Sequence, residues 1–189
     1  MSAAPARGDT PVARVRALAE RIGERETAAW CSALLAGRVG YDDAGSPPLS
    51  SLGRGATVAI AARLERAGAD YWPRVWGARG LLHCWPSPAE PVVTAAVVGG
   101  LADPAWRVRE MAAKVAGRHE VGEAADALVP CAADRVPRVR AAAVRALAAV
   151  GEAEHVDVVL AALTDDDLAV RRAAERAVQR LGQRLDRDL

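Results

Sequence analysis

Apolar positions between residues 103 and 182 recur at three- and four-residue steps, in blocks that each open on the same polar signature. The signature is Asp103-Pro104-Ala105-Trp106-Arg107-Val108-Arg109, then Asp134-Arg135-Val136-Pro137-Arg138-Val139-Arg140, then Asp165-Asp166-Asp167-Leu168-Ala169-Val170-Arg171. The step is constant, since 134 − 103 = 31 and 165 − 134 = 31. After the second signature the apolar stripe is Val139, Ala142, Ala143, Ala146, Leu147 and Val150, stopped by Gly151; after the third it is Val170, Ala173, Ala174, Ala177, Val178 and Leu181, stopped by Gly182. Shorter apolar segments, 124–132 and 155–163, lie between these blocks. A fixed period of this size predicts a repeat stack with two helices per period, a first helix A and a second helix B. One repeat is too small to bury its own stripe, and the many alanines let neighbouring helices approach closely.

The signature Asp falls in the turn before helix B, where a carboxylate accepts N–H groups that the helix start leaves unpaired. The Arg six residues on can reach back to that Asp or across to the equivalent Asp of the next repeat. Asp103, Asp134 and Asp165 with Arg109, Arg140 and Arg171 are therefore expected to form a ladder between repeats, with ligand binding as the alternative role for the arginines.

These features (the turn Asp, the Val-Arg pair, the Ala-rich second helix and the closing Gly) resemble HEAT repeats, in the short form of the phycobilisome-lyase HEAT-like group. The resemblance is specific over residues 90–182 and weaker before. It implies an all-α, right-handed α-solenoid of antiparallel helix pairs, with B helices lining a concave side that serves as a surface for partners. Phycobilin lyase activity would follow from the analogy alone, and fold does not fix function.

The rest of the chain reads as variations on the period. Arg14-Val15-Arg16-Ala17-Leu18-Ala19 copies Arg138-Val139-Arg140-Ala141-Ala142-Ala143, Gly23 breaks it, and residues 9–36 are expected to form a helical cap. Residues 37–55, with Tyr41-Asp42-Asp43-Ala44-Gly45-Ser46-Pro47-Pro48, cannot be a helix interior and form a loop, either functional or a tolerated insertion. Asp70-Tyr71-Trp72-Pro73-Arg74-Val75-Trp76 repeats the signature with Trp76 in place of the ladder Arg. One domain over 1–189 is expected, with repeats at 56–85, 91–118, 121–150 and 152–182. The expected helices are 9–22, 24–36, 57–67, 73–84, 91–102, 105–118, 122–132, 136–150, 152–163 and 167–184.

Composition narrows the function classes. The chain is 51% hydrophobic, enough for a folded core, and its formal net charge of +1 gives no global field for nucleic acid or membrane. Arginine carries nearly all the positive charge; Lys114 is the only lysine. Residues 1–7 lack the apolar core of a secretory signal, and the apolar stretch 91–102 is too short to span a bilayer. Cys31, Cys84 and Cys131 are odd in number and widely spaced, which fits buried thiols in a reducing cytoplasm rather than disulfides or zinc.

Candidate chemistry is sparse. Charge is sorted by helix: the B segments 135–150 and 168–181 are basic, whereas the A segments carry Glu123, Asp126, Glu152, Glu154 and Asp157. Superposing periods gives two outward stripes, Arg74, Arg107 and Arg138, and Lys114, Arg145 and Arg176, with Arg172 on the last B helix. Such a groove suits an anionic partner, and a solvated helix face is the plain alternative. Trp72, Trp76 and Trp106, flanked by Tyr71 and Trp85, would fill space between repeats or grip a ligand by stacking. Trp106-Arg107-Val108-Arg109-Glu110 also resembles a stretch of the DNA-alkylation-repeat glycosylases, but no catalytic acid is convincing. HEAT-like deoxyhypusine hydroxylases bind a di-iron centre through several His-Glu pairs; His119-Glu120 is the single pair here and cannot build that shell. No phosphate loop, nucleophile elbow or zincin motif occurs. The reading is a non-enzymatic scaffold without cofactor or metal that binds a protein or acidic peptide through Arg74, Arg107, Lys114, Arg138, Arg145, Arg172, Arg176, Trp72, Trp76 and Trp106. A nucleic-acid-binding or alkylation-repeat-like module is the alternative; oligomeric state stays open.

Overall fold

A computed structural model of the chain describes residues 10–188. Among these residues every regular element is helical and no strand forms. The ten α-helices are α1 (Pro11–Ile22), α2 (Glu24–Leu35), α3 (Val58–Arg66), α4 (Trp72–Leu81), α5 (Pro91–Gly100), α6 (Trp106–Arg118), α7 (Ala125–Ala132), α8 (Pro137–Val150), α9 (Val156–Ala161) and α10 (Leu168–Leu185). Each falls inside or within a residue or two of an expected segment; position 9 of the expected cap lies outside the described residues. The chain divides into two compact units, Met1–Ala96 and Val97–Leu189, with the division inside α5.

In the first unit, α1 is capped by the Thr10 side chain, which accepts the Ala13 N–H at 3.2 Å. Gly23 joins α1 to α2 at φ 96°, ψ 151°, a backbone region open essentially to glycine alone, so the break read at this position is a real turn. Helices α2 and α4 pack face to face along the buried residues Cys31, Leu34, Val75, Ala78 and Leu81. They approach so closely that a Cβ on Gly77 would lie 2.5 Å from the Cys31 carbonyl oxygen. The loop between α2 and α3 is irregular apart from one 3-10 turn at Leu49–Ser51. It is nevertheless tied down: Leu49, Leu52 and Ala56 are buried, the Arg14 guanidinium donates to the Ser50 carbonyl at 3.0 Å, and the Tyr41 hydroxyl donates to Glu65 at 2.6 Å.

In the second unit the B helices pack side by side, α6 on α8 and α8 on α10, with α7 against α8 and α9 against α10. The 31-residue step is visible in the core. Val108, Val139 and Val170 are all 0% exposed, as are Ala112, Ala143 and Ala174. Helix α8, central in this layer, buries every residue from Ala141 to Val150 except Arg145. Burial of each Val or Leu in such a layer contributes about 1.5–3 kcal/mol, so it is the stacking of repeats that supplies the stability a single repeat lacks.

Two local expectations change. Gly182 does not end the last helix; it is buried inside α10, which runs on to Leu185 and stops where Asp186 adopts a left-handed conformation at φ 53°. The short A segments are only partly α-helical: 3-10 turns occupy Gly122–Ala124 before α7, and Ala153–His155 and Ala162–Thr164 on either side of α9.

Candidate interaction face

The signature residues of the second unit form a hydrogen-bonded ladder. Each Asp first closes its own turn: Asp103 accepts the Ala105 N–H at 2.8 Å, Asp134 the Val136 N–H at 2.8 Å, and Asp165 the Asp167 N–H at 2.9 Å. Each Arg then reaches back to backbone carbonyls of its own turn, Arg109 to Asp103 at 2.7 Å, Arg140 to Asp134 at 2.8 Å and Arg171 to Asp165 at 2.6 Å. Between repeats the guanidinium donates forward. Arg109 meets Asp134 at 2.6 Å, and Arg140 meets both oxygens of Asp165 at 2.7 Å. The ladder arginines are therefore committed to architecture. The Arg140 hydrogen bond holds the Asp165 carboxyl below the usual carboxylate range. Burial works to raise Asp134, but Arg109, the Val136 N–H and nearby guanidiniums outweigh it and leave it lowered.

The two outward stripes have a different environment, organised by a residue the charge inventory passed over. Glu110, on α6, is 7% exposed. Its carboxylate accepts from Lys114 at 2.7 Å on its own helix and from Arg138 at 3.2 Å on the next B helix. The guanidinium carbon of Arg138 also lies 5.6 Å from the Trp106 ring centroid, and that of Arg107 lies 4.3 Å from it. Trp106, Arg107, Lys114 and Arg138 thus form one cluster around a buried acid, with Trp106 itself half-buried. Glu110 precedes Lys114 by four residues, and that spacing was the available signal.

Arg145, Arg172 and Arg176 are exposed and make no hydrogen bond or ion pair among the described residues. Partial burial, and secondly the charge of Arg176, draw the Arg145 pKa down, with Glu110 opposing. Of the expected site residues in the first unit, Arg74 and Trp72 are half-buried and Trp76 is 5% exposed. Trp72 stacks on Tyr71 at 5.8 Å and meets Trp76 at 6.1 Å between ring centroids, so Trp76 is core and Trp72 its margin.

A further polar contact links the A segments. His155, 3% exposed, accepts the Glu152 N–H through Nδ1 at 3.0 Å. That assigns the ring proton of the neutral imidazole to Nε2, which donates to Asp126 at 3.2 Å. His119 caps the end of α6, and Glu120 pairs with Arg180 at 3.0 Å. Among the described residues no group of three His, Cys, Asp or Glu could hold a metal ion, and no helix is long and apolar enough to cross a membrane. A pocket of about 310 Å³ lies beside the Arg109–Asp134 pair, lined by Leu101, Ala102, Ala127, Pro130 and Cys131.

Residues 94–179 match the family model for HEAT repeats. This stretch is a HEAT-like repeat array. The match takes in all three signatures, the ladder and the Glu110 cluster, whereas Trp72, Arg74 and Trp76 lie before it. HEAT repeats generally mediate protein–protein interaction. No curated protein matches the chain.

Proposed function

We propose that this protein is a non-enzymatic interaction scaffold whose B-helix face binds an acidic segment of a partner protein. One observation carries the reading: Arg145, Arg172 and Arg176 stand exposed on α8 and α10 and make no hydrogen bond or ion pair among the described residues, whereas the ladder arginines are all engaged. Exposed guanidiniums that the fold does not use are available to carboxylates, and opposed potentials give such contacts their specificity. The half-buried Trp106, beside Arg107 and Arg138, offers a rigid apolar contact on the same array. A cytoplasmic setting, where the three buried thiols stay reduced, fits this reading.

The test is a titration of the full chain with a fluorescein-labelled oligoglutamate peptide and, in parallel, with a single-stranded oligonucleotide, across a salt series. Peptide binding that is lost when Lys114→Glu, Arg145→Glu and Arg176→Glu are combined, with helicity unchanged, supports the reading. Tighter binding of the oligonucleotide, with steep salt dependence and tryptophan quenching, would replace it with the nucleic-acid alternative.

A further inference from the structure

Glu110 shows how this face holds a carboxylate. Its oxygen sits between the ammonium of Lys114, four residues on, and the guanidinium of Arg138 on the neighbouring B helix. One period later the positions change in a specific way. Glu110 becomes Ala141, since 110 + 31 = 141, while Lys114 becomes Arg145. Two periods later the same positions are Arg172 and Arg176. The internal anion is thus deleted in the second repeat and replaced by a cation in the third; the cation four residues on is kept throughout, whereas Arg138, the other group on Glu110, becomes Ala169 one period later.

We propose that Arg145, Arg172 and Arg176 bind a carboxylate side chain of an acidic protein segment at their exposed guanidiniums, one repeat on from where Glu110 serves Lys114 and Arg138. This deepens, and rests on, the scaffold reading. Arg172 and Arg176 are four apart on α10, and like charges at that spacing repel. Arg145 stands on α8, which packs directly on α10 at the usual helix spacing of about 8–10 Å. Burial first, and the charge of Arg176 second, draw the Arg145 pKa down, with Glu110 opposing, which is consistent with Arg145 and Arg176 repelling each other across α8 and α10. Glu175 is exposed on α10 and forms no ion pair with any of the three among the described residues. A carboxylate placed among these groups relieves like-charge repulsion and gains charge-assisted hydrogen bonds, which two or more guanidiniums can share. Ala141 is 3% exposed and is itself covered, so the groups open to an outside carboxylate are the exposed guanidiniums of Arg145, Arg172 and Arg176.

The test uses the full chain and the labelled oligoglutamate peptide at low salt. Arg145→Gln, Arg172→Gln and Arg176→Gln should each weaken binding about three- to tenfold, with Arg135→Gln, an exposed turn residue carrying the same charge, near wild type. Ala141→Glu should supply the anion internally and weaken binding about tenfold or more, whereas Ala133→Glu, with the same change in net charge at an exposed turn, should not. If circular dichroism shows Ala141→Glu to be misfolded, the three glutamine variants decide. Losses equal to that of Arg135→Gln would overturn the locus and leave the scaffold reading standing. No peptide binding by the unaltered chain would overturn both. Preference for a single-stranded oligonucleotide over the peptide would overturn the assignment to a protein carboxylate.

Discussion

Arg140 and Asp165 meet through two parallel hydrogen bonds, Nε to Oδ2 and Nη2 to Oδ1, both 2.7 Å long. The same guanidinium donates to the Asp134 carbonyl at 2.8 Å, so one side chain joins its own turn to the next. The pair is mostly shielded, with side-chain exposures of 17% and 12%.

Removing Arg140 therefore leaves a shielded carboxylate without its cation and a turn carbonyl without its donor. Arg140→Ala should destabilise the fold by about 1–3 kcal/mol. Arg145→Ala, five residues further along the same helix but exposed, should cost within about 0.5 kcal/mol. Arg140→Lys should recover only part of the loss, because an ammonium cannot make the two parallel bonds. Thermal or denaturant midpoints of the three variants check this; equal shifts for Arg140→Ala and Arg145→Ala would count against a structural ladder.

The ladder also makes stability depend on pH in the acid range. Asp134 and Asp165 both have folded pKa values below the ordinary one. A depressed carboxyl stabilises the fold fully above its unfolded pKa, about 3.9, and loses that contribution as pH falls through the lower folded value. Stability should thus be flat for these groups near neutrality and fall below about pH 4. Asp165→Asn should be less stable than wild type at pH 7, and the gap should narrow as pH drops toward 2. Urea unfolding at pH 7, 4 and 2.5 measures it.

The ladder was legible because its chemistry repeats with the period: Asp, Val and Arg recur at fixed offsets, and only a turn cap and a cross-repeat bond use them all. Which partner each Arg takes needed coordinates. Arg140 takes both, a carbonyl in its own turn and the carboxylate of the next. Glu110 was not legible from a count of charge per helix, because one acid among Arg107, Arg109, Lys114 and Arg118 reads as noise until its burial is known. The His155 bridge to Asp126 joins residues 29 apart, and no periodic pattern of apolar positions encodes such a polar contact. The splitting of the A segments into 3-10 and α turns escaped for a related reason: apolar spacing of three and four residues suits both, and only the hydrogen-bond register separates them.

The three thiols should be inert in the native state. Burial, with Asp134 second and Arg109 opposing, pushes Cys131 up to about 11. Burial and Glu24 push Cys84 up to about 11, and burial with Cys84 pushes Cys31 higher still. The thiolate is the reactive form, and near pH 8 almost none is present. Native protein should take up essentially no iodoacetamide at pH 8 over the time in which urea-unfolded protein is alkylated at all three positions. Mass spectrometry reads both; rapid native labelling of Cys131 would show that its place beneath Leu101 opens readily.

The close approach of α2 and α4 depends on one missing side chain. At Gly77 an added Cβ would lie 2.5 Å from the Cys31 carbonyl oxygen, 2.8 Å from the Leu35 nitrogen and 2.9 Å from the Leu34 Cβ. Two of these are backbone atoms of a buried helix, so relief requires moving α2 rather than turning a side chain. Alanine at a helix interior otherwise stabilises by about 1 kcal/mol over glycine, and an exposed site would show that gain. Here the clash should dominate, with Gly77→Ala destabilising by about 1–3 kcal/mol. The exposed Gly99, in α5, has open space around its Cβ position, and Gly99→Ala should be neutral or stabilising. Opposite signs for the two substitutions in urea unfolding would show that helix contact, not helix propensity, decides the residue at position 77; a stabilising Gly77→Ala would mean that the two helices sit farther apart than described.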